Sequence, residues 1–534
     1  MDNQKLETAY FEVRRRTLKR LGGLGLLSAS PAWLTACGSS VGPPVAPPGY
    51  RAVSVDAGAV TGTIRSLQGM NDPPVPAYLG KANVPPNPGV SPVPGNPVFN
   101  PNGLDLSSVY KQMHVDLVRT HDLDADGSGN VDGLGINRIF PDWNADPTDP
   151  ASYNFAATDT LIAGIVAAGE QVFFSLGRSD LSMVGLPLDG TLPPDFDTYA
   201  IVAKQIVLHY NKGWANGYQY GIQYWEIWNE PDTPFWSGSV AQYYSFYQKV
   251  ATAIKSVDAT LKVGGPATAS NTSTQGLQGD FLQFLSSNAL PLDFYSFHWY
   301  AAHVDPLDFS QLARSNRALL NQYGFSSTEL HLTEWGYEIF LPTPPAPELM
   351  AAFLTTAMTY MQDAPLDRAC LYQRTGLPVL QDNGSLTKAG SAFSALGSLI
   401  GMSRLTTSGQ DENGFSVLAG RSADRSEIRV LIGNYQIPAS DMGPIPGGNT
   451  VVMPGPVTIT YPDRRTISYS DNAGYQLVLN NLPWQSGKYT VTRYRIDASS
   501  QLSVVDSQSG SGQLIIVSAA LAPPSVELIV ITAG

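Results

Sequence analysis

The stretch YWEIWNEPD, Tyr224 to Asp232, decides how this chain can fold. Its first half sets a tyrosine, two tryptophans and an isoleucine around Glu226, which suits a buried strand better than an amphipathic helix. Pro231 then ends the run, because proline has no amide hydrogen to give to a strand ladder. Asn229 and Glu230 are therefore delivered to a strand end. In parallel sheets covered by helices the strand C-terminal ends line the functional face, so polar residues at such an end call for a chemical reason.

Outward from this stretch, short apolar runs alternate with amphipathic ones. Strands are expected at 64–72 (IRSLQGMND), 115–122 (VDLVRTHD), 170–177 (EQVFFSLG), 224–230, 261–267 (LKVGGPA), 292–300 (LDFYSFHWY), 329–336 (ELHLTEWG) and 368–374 (RACLYQR). Helical periodicity falls between them at 196–213, 240–257, 307–324 and 348–363. Eight strands alternating with helices across 62–402 predict an α/β fold, a (β/α)8 TIM barrel. A doubly wound sheet is the rival, but no glycine-rich phosphate loop follows the first strand. From 403 to 534 the period changes to two, with Gly/Asn/Pro/Ser turns, which predicts a C-terminal β-sandwich domain. Residues 51–61 share that alternation and are expected to add N-terminal strands to the sandwich. The Pro-rich segment 73–103 follows the first strand, where it could shape a groove at the barrel rim or act as a spacer.

The first 37 residues read as an export signal: a basic start with Arg14 and Arg15, a short apolar run and a small-residue exit. The arginine pair resembles a twin-arginine signal, and LTAC, Leu34 to Cys37, resembles a bacterial lipobox whose cysteine is acylated. Export to the periplasm or cell surface with a lipid anchor at Cys37 is the expectation, with 38–50 as a Gly/Pro-rich linker. The whole chain carries a formal charge of −13, and loss of residues 1–36 would leave −16, which argues against nucleic acid as a partner. Lipidation of Cys37 would leave Cys370 with no partner for a disulfide within the chain.

Two strand ends carry acids that can work together. Glu230 ends the fourth strand and Glu334 the seventh, and those strands face each other across a barrel mouth. A carboxyl that gives a proton opposite a carboxylate that attacks is the requirement of a retaining glycosidase. VRTHD (118–122), EIWNEPD (226–232), DFYSFHWY (293–300), HLTEW (331–335) and the C-terminal YTVTRYRID (489–497) together resemble glycoside hydrolase family 39, in the large clan of (β/α)8 retaining glycosidases. The resemblance spans most of 62–534. It implies Glu230 as acid/base, Glu334 as nucleophile and Asn229 as partner of the sugar 2-hydroxyl. It implies no cofactor.

Arg119 and His121, two apart on the second strand, are expected to face the mouth, with Arg119 keeping Glu334 ionised. His298 and Tyr300, two apart on the sixth, are expected near sugar and nucleophile. Trp335, like Trp143, Trp236 and Trp299, could stack on a sugar or pack in the core. Glu226 reads as a barrel residue, two alternations below Glu230. Asp122 to Gly133 begins like a calcium loop but lacks the acid at its twelfth position, so a solvated turn is expected. Six histidines without metal spacing argue against catalytic zinc. The chain departs from xylosidases of the family after the eighth strand, where LYQRTGLPVLQDNG (371–384) has no glutamate and Tyr372, Gln373 or Arg374 stands for the clan's tryptophan. The expectation is a glycosidase on an oligo- or polysaccharide, leaning to endo action on an exopolysaccharide. An exo-acting β-glycosidase such as a β-xylosidase, and a non-catalytic carbohydrate-binding surface protein, stay open.

Overall fold

The computed structural model describes residues 45–76, 79–80, 100, 102–120, 136–177, 192–193, 195–233, 235–269, 277–301, 304–337, 345–372, 378–439, 442, 450–452, 458–460, 465–469 and 473–534. The export signal, Cys37, most of the linker and of the Pro-rich segment, His121 and the loop 122–133 lie outside them. Among the described residues no helix is long and apolar enough to cross a membrane.

Strand β1 (Tyr50–Thr63) precedes a closed barrel of β2 (Gly69–Met70), β3 (Leu117–Arg119), β4 (Gln171–Leu176), β5 (Tyr224–Ile227), β6 (Lys262–Thr268), β7 (Phe294–Tyr300), β8 (Glu329–Gly336) and β9 (Arg368–Leu371). Every neighbouring pair runs parallel, and β2 pairs with β9 to close the ring. The (β/α)8 arithmetic therefore holds, with strands shorter than expected at several tops. The fourth barrel strand, β5, ends at Ile227, because Trp228 takes a left-handed backbone (φ 72°) that no ladder accommodates.

The covering helices are set by ordinary capping and periodicity. In the helix Val240–Val257, Tyr243, Phe246, Tyr247, Val250, Ala251 and Ile254 are buried on one face, and Ser239 and Gln242 form a capping box at its start. The helix Phe196–Lys212 is capped by Asp195 and ends on Gly213 in the left-handed conformation.

The remaining strands are β10 (Ser403–Ser408), β11 (Phe415–Arg421), β12 (Glu427–Asn434), β13 (Thr450–Val452), β14 (Thr458–Thr460), β15 (Gly474–Asn480), β16 (Lys488–Ile496), β17 (Gln501–Ser511), β18 (Ile515–Ala520) and β19 (Ser525–Ala533). Nine strands join in the order β17-β16-β19-β12-β11-β10-β1-β15-β18, with β1 antiparallel to β10 and parallel to β15. Side chains from both ends of that order, Tyr489 and Val491 on β16 and Tyr475 and Leu477 on β15, share one core, so the sheet packs against itself as a sandwich.

Barrel and sandwich are joined by buried polar contacts. Arg465 donates to Asp305 in the loop after β7, at 2.7 and 3.1 Å, and Asp305 is 1% exposed. Tyr435 donates to the Val304 carbonyl at 2.8 Å in the same loop. The sandwich thus braces the segment that follows Tyr300.

Candidate active site

Inward alternation along β3 brings Leu117 to the barrel floor and Arg119 to its mouth, where Arg119 is fully buried. Its guanidinium is the hub of the site. Nε and Nη2 both reach Glu226 Oε2 at 2.7 Å, and Nη2 also donates to Asn229 Oδ1 at 2.8 Å. Nη1 donates to Glu334 Oε1 at 2.8 Å and to Asn71 Oδ1 at 3.0 Å. Burial alone would lower the pKa of this guanidinium, but the Glu226 and Glu334 carboxylates outweigh it and raise it above the ordinary arginine range. Arg119 is therefore a fixed cation, and Glu334 has its counter-charge in place.

Tyr300 donates to the other carboxylate oxygen, Glu334 Oε2, at 2.6 Å. Burial and the Glu334 charge push the Tyr300 phenol well above its usual range, so it stays protonated and keeps donating. His298 Nδ1 lies 2.8 Å from Glu230 Oε1 and 3.6 Å from Glu334 Oε2, between the two acids. Glu230, His298 and Glu334 each offer one atom within 4.8 Å of the others, a set that could also hold a metal ion. Arg119 and Tyr300 already hold both Glu334 oxygens, and a cation there would sit beside the Arg119 charge. The arrangement suits proton transfer better than metal ligation.

Neither acid reaches the mouth by plain alternation. Between β8 and its two neighbours the register shifts, from Phe297↔Leu332 to His298↔Glu334 on one side and from Leu332 to Trp335 on the other. The extra residue, Thr333, turns Glu334 inward and Trp335 outward. Just after β5, Trp228 (φ 72°) and Glu230 (φ 45°) are both left-handed, at about 1 to 3 kcal/mol each for such a backbone. Trp228 turns away from the mouth into the helical layer against Trp236 and Phe246. Glu230 is steadied by its amide on the Ala267 carbonyl at 3.0 Å and by Thr233 Oγ1 on its own carbonyl at 2.8 Å. Gly177 at the top of β4 permits this, since a Cβ there would stand 2.9 Å from the Trp228 carbonyl carbon and 3.0 Å from the Asn229 nitrogen.

Five of the expected residues, Glu230, Glu334, Arg119, His298 and Tyr300, share one network of hydrogen bonds and ion-pair contacts, and Asn229 joins it through Arg119. Trp335 does not. It is completely buried, edge-on to Phe309 at 5.3 Å, because the residue after an inward Glu334 must point outward. Trp299 and Trp236 are buried as well, and Trp143 stacks on Tyr199 at 5.5 Å. Glu226 supports Arg119 from below, as its position on β5 suggests. The residue that sequence reading passed over is Asn71. Its signal was a polar side chain at the top of the first strand, in GMND, analogous to Asn229.

The sequence profile of Glycosyl hydrolases family 39 matches residues 106–384, more than half of the chain and all of this network except Asn71. The chain belongs to that family. A glucosidase from Croceicoccus marinus is 33% identical and superposes with a TM-score of 0.74 over 91% of this chain and 99% of its own. A family 39 enzyme from Xanthomonas axonopodis pv. citri, 16% identical, shares the fold with a TM-score of 0.64 over 91% of this chain and 98% of its own. A beta-xylosidase from Geobacillus stearothermophilus is 26% identical over 260 residues, which are 43% of this chain and 48% of that enzyme. The chain thus matches about half the length of this curated relative.

Proposed function

We propose that the chain hydrolyses glycosidic bonds of an oligo- or polysaccharide with retention of anomeric configuration. The observation that carries this is the approach of Glu230 and Glu334 oxygens to within 4.8 Å, which falls short of the about 6.5 to 9.5 Å of inverting pairs and is near the about 5 to 5.5 Å of retaining ones. Glu334, held as a carboxylate by Arg119 and Tyr300, attacks the anomeric carbon. Glu230 gives its proton to the departing oxygen, and a glycosyl ester forms on Glu334. Glu230 then takes a proton from water, which attacks the same carbon and releases Glu334. Asn229 spends its Oδ1 on Arg119, so its Nδ2 is the end that would meet the sugar 2-hydroxyl.

Glucosides and β-xylosides are the first substrates to try, given the named activities of the similar proteins. Proton NMR of early product should show the retained anomer, and an inverted one would sink the mechanism. A second reading, endo action on a polymer, is favoured by the absence of a glutamate in 372–384. Product sizes from xylan, galactan, mannan and bacterial exopolysaccharides distinguish the two, since monosaccharide alone means exo action. Binding of such glycans without turnover of any would make the chain a binding protein instead. We also propose export and acylation at Cys37, checked by mass spectrometry of the mature N-terminal peptide and by loss of membrane association in Cys37→Ala.

A further inference from the structure

We propose that Asn71 is a positioning residue that holds the Arg119 charge on the nucleophile and away from Glu226. The proposal rests on the reading of Glu334 as nucleophile. Arg119 is contested by two carboxylates: Nε and Nη2 both go to Glu226 Oε2, and only Nη1 reaches Glu334. Nη1 has two N–H groups, and Asn71 Oδ1 takes the second at 3.0 Å. The Asn71 amide cannot turn over, because its Nδ2 faces carbonyls, Thr333 at 3.0 Å, Cys370 at 3.3 Å and Leu371 at 3.4 Å. Its own amide N–H, on the Leu371 carbonyl at 3.1 Å, continues the β2–β9 ladder and fixes the side chain's origin. Asn71 is 1% exposed, so no solvent competes for these bonds.

Asn71 therefore grips the nucleophile from two sides. Through Nδ2 it pins the Thr333 carbonyl, at the bulge that turns Glu334 inward, and through Oδ1 it steers the cation that pairs with Glu334. Without it, Nη1 loses one of its two acceptors, and Glu334 on Nη1 with Asn229 on Nη2 are left to resist the pull of Glu226.

The test compares wild type with Asn71→Ala, using Asn71→Ser if alanine impairs folding, by crystallography and by kcat/KM against pH on 4-nitrophenyl β-D-glucoside and β-D-xyloside. The Arg119 Nη1 contact to Glu334 should lengthen beyond hydrogen-bond range. The acid limb of kcat/KM should move up by about one pH unit as the nucleophile loses its counter-charge, with a fall at the optimum of about 10- to 100-fold. Asn71→Asp should do more, since its carboxylate competes for Arg119 while facing carbonyls. An unmoved Arg119, or a lowered melting temperature with an unmoved acid limb, would overturn the proposal. If wild type cleaves no glycoside, the glycosidase reading fails by itself and the position of Arg119 in the variant crystal still decides the role of Asn71.

Discussion

Strand β8 carries acidic side chains to both ends of the barrel, Glu329 to the floor and Glu334 to the mouth, and the two ends are built on opposite terms. At the floor, Glu329 is matched by Lys262 and by His331 Nε2 at 2.9 Å, beneath a plug of Phe173, Tyr224 and Phe294. There the backbone is regular and Lys262 and Arg368 lie over the Tyr224 ring. At the mouth, two carboxylates, Glu226 and Glu334, share the cation Arg119, a third acid, Glu230, stands against His298, and Glu226 Oε1 is buried without a hydrogen-bond partner among the described residues. Left-handed residues and register shifts concentrate there too. Matched charge on regular strands serves stability, whereas surplus negative charge on strained strands is retained for chemistry.

That contrast breaks most visibly at Glu334, the proposed nucleophile. Glu334→Gln should cost about 10^4-fold or more in kcat, measured on an aryl glycoside, with no loss of thermal stability, because it relieves carboxylate crowding in the mouth. Glu230→Gln comes next, with a loss of about 10^2- to 10^4-fold on an unactivated disaccharide. Its loss should shrink in the glycosylation step with a nitrophenol leaving group, which departs without protonation. Equal losses on both substrates would deny Glu230 the role of acid.

The floor should answer in the other currency. Phe294 stacks on His331 at 4.8 Å and touches Phe173 at 5.1 Å, so Phe294→Ala should lower unfolding free energy by about 3 to 5 kcal/mol. Activity per folded molecule should hardly change. A large fall in kcat with little change in urea midpoint would show that the two ends are not separable.

The order of strands was legible because burial enforces it: a parallel strand must be apolar on both faces, and EQVFFSLG or ELHLTEWG can do little else. Glu230 and Glu334 were legible as acids at strand ends. Their route to the mouth was not. Plain period-two counting puts Glu226, Trp228 and Glu230 on one face, yet left-handed Trp228 takes its own ring outward and Glu230 arrives by a turn. Nothing in a single sequence marks a non-glycine residue for that conformation, since the cost is met by long-range packing such as Gly177 beneath Trp228. Trp335, open in the sequence between sugar stacking and core packing, was undecided for a related reason: its neighbour Glu334 suggests stacking, but strand geometry decides where it points, and it packs in the core. Asn71 escaped because its importance lies in partners from β3, β8 and β9, contacts that only closure of the barrel creates.

The smallest effects concern pH and fall at the floor. Burial opposes ionisation of Glu329, but hydrogen bonds from His331 and Lys262 outweigh it and hold the carboxyl down at about 2, against 4.5 for a free group. A depressed pKa contributes stability that is present above 4.5 and lost as pH falls toward 2. Glu170, just before β4, is the opposite case. It is buried, its Oε2 has no hydrogen-bond partner among the described residues, and burial with the nearby Asp116 charge pushes it up to about 8. Its neutral form suits the fold, so its contribution is complete below 4.5 and drains away as pH rises through 8. Glu329→Gln should flatten the acid side of a plot of urea midpoint against pH and lower stability at neutral pH. Glu170→Gln should flatten the alkaline side and raise stability at neutral pH, because glutamine keeps the uncharged shape without the penalty of ionisation. Neither should move the acid limb of kcat/KM, which belongs to the mouth. A Glu170→Gln protein less stable than wild type at neutral pH would mean that the carboxylate finds a cation at the floor, and the rule of matched charge there would then hold for Glu170 as well.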